Sequence, residues 1–169
     1  MTPVDLEVRK TASNELEDFL SILREAALWL KQGGREMWSD SQLSAERLLK
    51  HHSLDDMYIG YWNGEAAAAM ILQEENAMLW PDLEQKDSLF VHKLAVRRKY
   101  AKQGVSEHMM NWAKAHAEYA GKAWIRLDCA ADRPKLCQFY EKQGFKRVRE
   151  RVVLGKYPTA FYEFRIVTT

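Results

Sequence analysis

The segment Lys99–Ser106 places basic side chains and a glycine where a strand gives way to a helix. A tight turn into a helix leaves backbone N–H groups without acceptors, and the helix dipole adds partial positive charge. Such a turn is suited to an anion, in particular a pyrophosphate. Positive charge is concentrated nearby at Arg97, Arg98, Lys99 and Lys102. An ordinary loop with a solvated basic face is the alternative, and this segment alone does not decide between the two.

Two common nucleotide-binding patterns are missing from the same segment. It does not match G-x-x-x-x-G-K-[ST], so a nucleotide-hydrolysing P-loop is not expected. It also lacks the G-x-G-x-x-G of a dinucleotide site. The anion must therefore be identified from the rest of the chain.

The elements that position this segment follow from hydrophobic periodicity. Leu6–Lys10 alternates like a short strand, and a long helix that ends at Gly33-Gly34 and a shorter helix come after it. Asn63-Gly64 predicts a type I′ turn between two strands. The second half predicts four strands and two helices, at Leu89–Val96, Gly104–Ala120, Trp124–Cys129, Arg133–Gln143, Phe145–Leu154 and Ala160–Val167.

This order of elements predicts the fold class. Strand, helix, strand at the observed spacing forms a parallel pair with a right-handed crossover. Hairpins before and after that unit give an α/β (α+β) fold, a mixed sheet covered by helices. No repeat or linker interrupts the chain, so one domain is expected over residues 1–169.

The composition excludes several classes of protein. The chain has 25 Lys plus Arg against 24 Asp plus Glu, and a formal net charge of +1. That balance gives no support to nucleic acid or to an anionic membrane surface as the main partner. No run approaches the ~18 apolar residues that span a bilayer, and the first residues lack the pattern of a signal peptide. Two cysteines are too few for a secreted disulfide scaffold, so a cytoplasmic protein is predicted.

Three segments taken together resemble the GNAT superfamily of acyl-CoA-dependent N-acyltransferases. They are the strand Leu89–Val96, the basic glycine loop and the stretch Asp132–Phe145. The resemblance is strong from Ser88 to Val148, is closest to small bacterial members, and covers the N-terminal half mainly in element order. It implies the GNAT fold and an N-acetyltransferase that uses acetyl-CoA.

Two positions depart from the family pattern. Ala101 stands where relatives usually have Gln or Arg at the start of the loop, and Arg133 stands where many have Asn. Ser106 is small enough to allow close approach of the backbone. Because most contacts to a pyrophosphate come from backbone N–H groups, we expect binding to survive.

The resemblance also assigns roles to residues. Tyr140 matches the general acid that protonates the leaving thiolate, and the backbone of Leu94, Ala95 and Val96 would hold pantetheine and the oxyanion. The pyrophosphate would lie against the loop residues Lys102, Gln103, Gly104, Val105 and Ser106, with Arg133 and Lys135 as further cofactor-binding candidates.

The base and the acceptor site are less defined. An amine with a pKa near ~10 is neutral about once in a thousand at pH 7, so a base or a water relay helps. His92, two positions before Leu94 on the same strand face, has a suitable ordinary pKa of about 6.5, and a hydrogen-bonded sheet histidine is the alternative. Asp128 ends the next strand and could hold a cationic amine, orient His92 or cap a turn.

The remaining candidates have simpler explanations. Trp29 and Trp38 flank the break between the first helices and either pack there or, as the resemblance suggests, form an aromatic wall for the acceptor. Cys129 and Cys137 lack the spacing of a zinc pair, and a buried strand thiol is the expected state of Cys129. His108 and His116 are two helical turns apart, so no metal is predicted.

The sequence therefore predicts transfer of an acetyl group from acetyl-CoA to a primary amine of a small molecule or an accessible amino group, by direct attack in a ternary complex. A non-catalytic acyl-CoA-binding or regulatory protein of the same fold is the alternative. Relatives often pair through C-terminal strands, so the resemblance also allows a homodimer.

Overall fold

The computed structural model of the chain describes residues 6–35 and 38–166. Across these residues the chain forms seven strands and four α-helices in the predicted order. They are β1 (Leu6–Lys10), α1 (Leu16–Gln32), α2 (Ala45–His51), β2 (Met57–Trp62), β3 (Glu65–Gln73), β4 (Ser88–Val96), α3 (Val105–Tyr119), β5 (Trp124–Ala130), α4 (Pro134–Lys142), β6 (Lys146–Val153) and β7 (Tyr157–Arg165).

The strands form a mixed sheet in the order β1-β2-β3-β4-β5-β7-β6, which confirms the predicted fold class. β4 and β5 run parallel because α3 connects them as a crossover, whereas β7 is antiparallel to both β5 and β6. β7 begins at Tyr157, three residues earlier than the hydrophobic pattern predicts. Among the described residues, no helix is long and apolar enough to cross a membrane.

One compact unit contains the described residues up to Ile71 together with Lys93–Met109. Its core forms where the apolar stripe of α1 packs against β2 and β3, with Ala95 of β4 in the same cluster. The turn between β2 and β3 has Asn63 at φ 51° and Gly64 at φ 83°, as a type I′ turn requires. The fully buried members of the α1 stripe are Phe19, Leu20, Ile22 and Leu23.

Close packing between the β2 backbone and a side chain of α3 fixes the position of α3 in this unit. Gly60 lies in β2, and a Cβ atom there would be only 2.6 Å from the Sδ atom of Met109. A glycine in a strand commonly marks such an approach. The first turns of α3 are thereby held against the strands that precede it.

The second compact unit contains Leu72–His92 and the described residues from Met110 onward. Its strand pairs are parallel between β4 and β5 and antiparallel between β5, β7 and β6. Arg126 is buried in β5, where its guanidinium bonds the Ser88 hydroxyl and lies 3.2 Å from the Glu163 carboxylate. The carboxylate and the hydroxyl together offset the free-energy cost of burying the guanidinium charge.

Candidate active site

The segment Lys102–Ser106, called the amide loop below, has the backbone conformation of an anion site. Lys102 and Gly104 both have positive φ, at 61° and 81°. At the start of α3, the His108 N–H donates a hydrogen bond to the Gly104 carbonyl at 3.0 Å. The N–H groups of Val105 and Ser106 precede that bond, so they belong to the helix turn that lacks intrahelical acceptors. Left-handed residues that alternate with others along the backbone turn successive N–H groups toward one point, where they can bind an anion. The dipole of α3 adds to the attraction.

Arg97 anchors the segment between β4 and the amide loop to α1 and β3. Its Nε donates to the Ala66 carbonyl at 2.8 Å and its Nη2 donates to the Ser21 hydroxyl at 2.6 Å. Its Nη1 lies 3.5 Å from a Glu25 oxygen, and the other Glu25 oxygen accepts the Arg98 N–H at 2.7 Å. The guanidinium and a carboxylate therefore fix the chain where it leaves β4.

A second set of contacts anchors the segment before the amide loop to the end of β2 and the start of β3. The Glu65 carboxylate accepts hydrogen bonds from the Tyr100 hydroxyl and from Lys99 Nζ, the latter at 2.9 Å. These two donors lower the pKa of Glu65 from its ordinary value. Trp62 stacks on Tyr100 with ring centroids 5.3 Å apart.

The basic residues beside the loop differ in what they can offer a ligand. Arg97 and Lys99 are ion-paired to carboxylates of the protein itself. Arg98 lies over the Trp29 ring at 3.7 Å, and Lys102 is exposed. Two of the four positive charges near the amide loop, Arg97 and Lys99, therefore have carboxylate partners within the protein.

The strand that leads into the loop is irregular. The last pair between β4 and β5 joins Val91 to Leu127, whereas β4 itself continues to Val96. Within that continuation Lys93 has φ 53°. A residue in the left-handed region interrupts the regular backbone, as in a β-bulge, and bulges re-aim the groups beside active sites. The predicted pantetheine segment follows directly, with Ala95 buried and Leu94 and Val96 half-buried.

Lys93 also corrects one inference about His92. The argument that His92 and Leu94 share a strand face assumes regular alternation, and the left-handed residue between them breaks it. His92 is half-buried. Its selection as a base therefore depends on its chemistry and not on strand alternation.

In the second unit, β5 and α4 bring together a group called the tyrosine cluster below: Asp128, Cys129, Cys137 and Tyr140. Tyr140 is 8% exposed, and its ring meets Phe139 and Phe145 edge-on. Burial raises the pKa of the Tyr140 hydroxyl, and Cys129 and Asp128 raise it further. A phenol in these surroundings stays protonated at neutral pH, which is what a proton donor requires.

The two cysteines in this cluster are buried thiols. Their Sγ atoms lie 3.8 Å apart, and the Cys137 thiol faces the Ala130 carbonyl at 3.6 Å. Burial, reinforced by Cys137, raises the pKa of the Cys129 thiol. Because a nucleophilic cysteine needs a thiolate, this environment does not suit one. Among the described residues, no group of three or more His, Cys, Asp or Glu side chains is arranged for a metal ion.

The two tryptophans lie in different surroundings. Trp29 lies under Arg98 at 3.7 Å and under Arg35 at 4.6 Å, so it belongs with the basic approach to the amide loop. Trp38 faces the ammonium of Lys93 at 5.3 Å and packs against the α1 core. The two rings therefore have different neighbours, and their role as an aromatic wall for the acceptor stays a prediction.

The other cofactor-binding candidates belong to the second unit. Arg133 precedes the first residue of α4, and its carbonyl accepts the Cys137 N–H at 3.1 Å. Lys135 is exposed in the first turn of the same helix. The structure thus brings the amide loop and Leu94–Val96 into one unit and Asp128, Arg133, Lys135 and Tyr140 into the other.

Sequence reasoning misses three residues of this site. Lys93 carries no signal, because lysine is not a residue that predicts positive φ. Glu25 and Glu65 each lie more than thirty positions from the residues that they bind, Arg98 and Lys99. In the sequence they look like solvated surface charges. Only the three-dimensional arrangement identifies them.

Comparison with known proteins adds independent findings. A model of the acetyltransferase (GNAT) family matches residues 16–145. A protein of Bacillus subtilis (strain 168), described as an uncharacterised N-acetyltransferase and called YesJ, is 30% identical over 145 residues, covering 78% of this chain and 77% of the relative.

Two solved structures share the fold. An acetyltransferase of the GNAT family from Listeria monocytogenes 4b F2365 superposes with a TM-score of 0.80 at 22% identity, covering 97% of this chain and 98% of that one. The PaiA N-acetyltransferase from Thermoplasma acidophilum was solved in complex with coenzyme A. It superposes with a TM-score of 0.70 at 17% identity, covering 95% of this chain and 99% of that one.

Proposed function

The chain belongs to the acetyltransferase (GNAT) family, and on this basis we propose that it transfers the acetyl group of acetyl-CoA to a primary amine. Family membership makes it an acyltransferase. The donor, the acceptor and the direct attack in a ternary complex are the parts that we propose.

The backbone of the amide loop is the observation that carries this proposal. Positive φ at Lys102 and Gly104 and the open first turn of α3 suit a diphosphate. Coenzyme A carries such a diphosphate, and the structural relative PaiA was solved with it. The departure at Ala101 changes a side chain, whereas this support comes from the backbone of Lys102–Ser106. The Ala101 N–H itself donates to the Arg98 carbonyl at 3.1 Å and is not one of the N–H groups assigned to the diphosphate.

Direct attack requires a neutral amine and a place for negative charge. The nitrogen attacks the thioester carbonyl, a C–N bond forms and the C–S bond breaks. We assign removal of the amine proton to His92, because a neutral imidazole can accept a proton near neutral pH. The backbone around Leu94, next to the left-handed Lys93, is the proposed donor to the oxyanion.

The leaving group is the thiolate of coenzyme A, which must gain a proton or a hydrogen bond. Tyr140 is the proposed donor because its phenol is protonated at neutral pH and can hydrogen-bond the departing sulfur. Burial raises the pKa of this hydroxyl, which favours a hydrogen bond to the thiolate over full ionisation of the tyrosine. The proton that leaves the amine and the proton that reaches the sulfur balance, so no other reactant is needed. We propose a small-molecule amine as acceptor.

Calorimetry and thiol release test this function together. We expect heat and thermal stabilisation when coenzyme A is added, and release of free thiol from acetyl-CoA only when an amine is present. Absence of both heat and stabilisation at millimolar coenzyme A rejects the assignment. Binding without turnover on any amine favours the alternative, a non-catalytic acyl-CoA-binding protein.

A further inference from the structure

The two cysteines of the chain, Cys129 and Cys137, lie in contact with each other in the second unit. Cys129 is the next to last residue of β5, and Cys137 lies in the first half of α4. Their Sγ atoms are 3.8 Å apart, and both side chains are buried. The function proposed above uses neither thiol, so the pair has no assigned role.

The distance between the two sulfurs is close to what a disulfide requires. A sulfur–sulfur bond measures about 2.05 Å, so the Sγ atoms must come about 1.8 Å closer than 3.8 Å. That movement requires rotation of the two side chains or a small shift of α4 against β5. The two cysteines are eight positions apart in the chain, so closing the loop between them costs little entropy.

The route for an oxidant runs through the connection between β5 and α4. Asp132 in this connection is exposed, as are Pro134 and Lys135 in the first turn of α4, and Cys129 itself is 8% exposed. Local opening of such a segment costs less free energy than global unfolding and admits a molecule as small as hydrogen peroxide. Without opening, burial raises the pKa of the Cys129 thiol and keeps its reaction slow.

We propose that Cys129 and Cys137 form a reversible disulfide when the protein meets a peroxide. One thiol loses its proton and attacks the O–O bond, which yields a sulfenic acid and one water. The second thiol attacks the sulfenic sulfur, the S–S bond forms, and the hydroxyl group leaves with the second proton as another water. The two thiols thus lose two electrons and two protons, which reduce one peroxide to two waters. A thiol reductant reverses the change.

The disulfide would act on the residue that we assign to the leaving group. Tyr140 follows Cys137 by three positions, so the two side chains are neighbours on one face of α4. Tyr140 is buried and its ring meets Phe145 edge-on, so a shift of α4 toward β5 displaces its hydroxyl. A displacement of about 1 Å can lower a rate by up to about 100-fold. Slower transfer by the oxidised protein is therefore expected, a consequence that rests on the proposed function.

The first test looks for the bond itself in the parent protein. Trypsin cleaves after Lys and Arg unless Pro follows, so Cys129 lies in the peptide Leu127–Lys135. Cys137 lies in the adjacent peptide Leu136–Lys142. The protein is treated with hydrogen peroxide, denatured with an alkylating agent that blocks free thiols, and digested. We expect the two peptides as one linked species in the mass spectrum, and dithiothreitol should separate them.

Cys129→Ala and Cys137→Ala are the matched controls, because the remaining thiol has no partner within its own chain. Neither variant should give a linked peptide after the same treatment. The disulfide is overturned if both peptides of the parent keep alkylated thiols, or if each sulfur gains oxygen without a link. It is also overturned if the link joins two copies of the chain, which a non-reducing gel shows as a doubled mass.

The second test measures the effect on transfer. Steady-state rates are compared for the oxidised parent and for the same sample after dithiothreitol. We expect kcat to be about tenfold lower in the oxidised protein and to recover on reduction. The KM for acetyl-CoA should stay within about twofold, because the amide loop is not altered. Cys129→Ala, compared with its own untreated rate, controls for oxidation elsewhere, including the seven methionines.

The outcomes separate this inference from the proposed function. Equal loss of kcat in the parent and in Cys129→Ala assigns the inhibition to other residues and overturns the effect on Tyr140. Full kcat in the oxidised parent overturns that effect as well, while the disulfide itself stands. If no amine accepts an acetyl group although coenzyme A binds, the proposed function fails and the linked peptide alone decides the disulfide.

Discussion

The amide loop and the tyrosine cluster, proposed for coenzyme A and for its leaving thiolate, would use different parts of the chain. The amide loop offers backbone N–H groups whose direction is set by positive φ at Lys102 and Gly104. The tyrosine cluster offers one hydroxyl, that of Tyr140, whose pKa is raised by burial. The first site depends on conformation and the second on the identity of a side chain.

This difference predicts what each region tolerates. At a backbone site, most side chains can change without loss, so we expect Ala101, in place of the usual Gln or Arg, to leave binding intact. The exceptions are residues that enforce the conformation. At a side-chain site, a single atom decides the chemistry, and the surrounding residues matter through the pKa that they impose.

Gly104→Glu is the strongest test of the backbone site. An added Cβ would lie 3.9 Å from the nearest His108 atom, so there is room, but φ of 81° strains any L side chain by about 1–2 kcal/mol. The carboxylate would also repel a diphosphate. We expect coenzyme A affinity, measured by calorimetry, to fall about 100-fold or more.

Gly121→Glu is the matched control for that change. Gly121 lies just beyond the other end of α3 at φ 75°, and an added Cβ would meet nothing within 4 Å. We expect a similar loss of thermal stability and unchanged affinity. If both variants lose affinity equally, general destabilisation explains the result and the amide loop loses its assigned role.

Tyr140→Phe tests the side-chain site with the next largest effect. We expect kcat to fall by about one to two decades while the KM for acetyl-CoA changes little, because the hydroxyl acts on the leaving group. Since burial raises the pKa of Tyr140, its ionisation should produce no alkaline fall in kcat below about pH 10. A steady-state pH profile of both proteins checks these expectations.

Tyr162→Phe is the control, because it removes a different buried hydroxyl from the same unit. The Tyr162 hydroxyl donates to Glu141 at 2.6 Å and accepts from Arg147 at 2.8 Å. We expect a stability loss of about 1–3 kcal/mol and little change in kcat. A large loss of coenzyme A affinity in Tyr140→Phe with kcat intact would contradict the assignment of Tyr140.

Arg97→Gln asks how far the amide loop depends on its anchors. Losing the bonds to Ala66, Ser21 and Glu25 should cost about 1–3 kcal/mol of stability by chemical denaturation. We expect coenzyme A affinity to fall about three- to tenfold, because the loop must then be ordered on binding. Arg24→Gln, which breaks only an exposed pair with Glu17, should change stability by at most about 0.5 kcal/mol.

The outcome of Arg97→Gln bears on what a sequence can reveal. Local signals suffice for the elements, for the Asn63-Gly64 turn and for Gly104, because each depends on residues close in the chain. The anchors of the amide loop join residues that are far apart in sequence, and no periodicity reports them. The left-handed conformation of Lys93 is likewise enforced by its surroundings against the preference of the residue itself.

Cys129→Ala gives the smallest expected effect and tests whether burial governs the tyrosine cluster. Burial raises the pKa of Cys129 in the folded protein, whereas an unfolded thiol titrates near about 8.5. The thiol therefore contributes stability that is fully present below that pH and is lost as pH rises, by up to about 1.4 kcal/mol per pH unit.

Between about pH 8.5 and 10, only a thiol in this cluster should act in this way, because an unfolded tyrosine titrates near 10. We expect Cys129→Ala to be destabilised by about 1–2 kcal/mol at neutral pH but to lose stability more slowly over that interval. Tyr140→Phe should keep the steep decline there and flatten only above about pH 10. Parallel denaturation curves for Cys129→Ala and the parent protein would show that burial does not hold the thiol protonated, and would weaken the same argument for Tyr140.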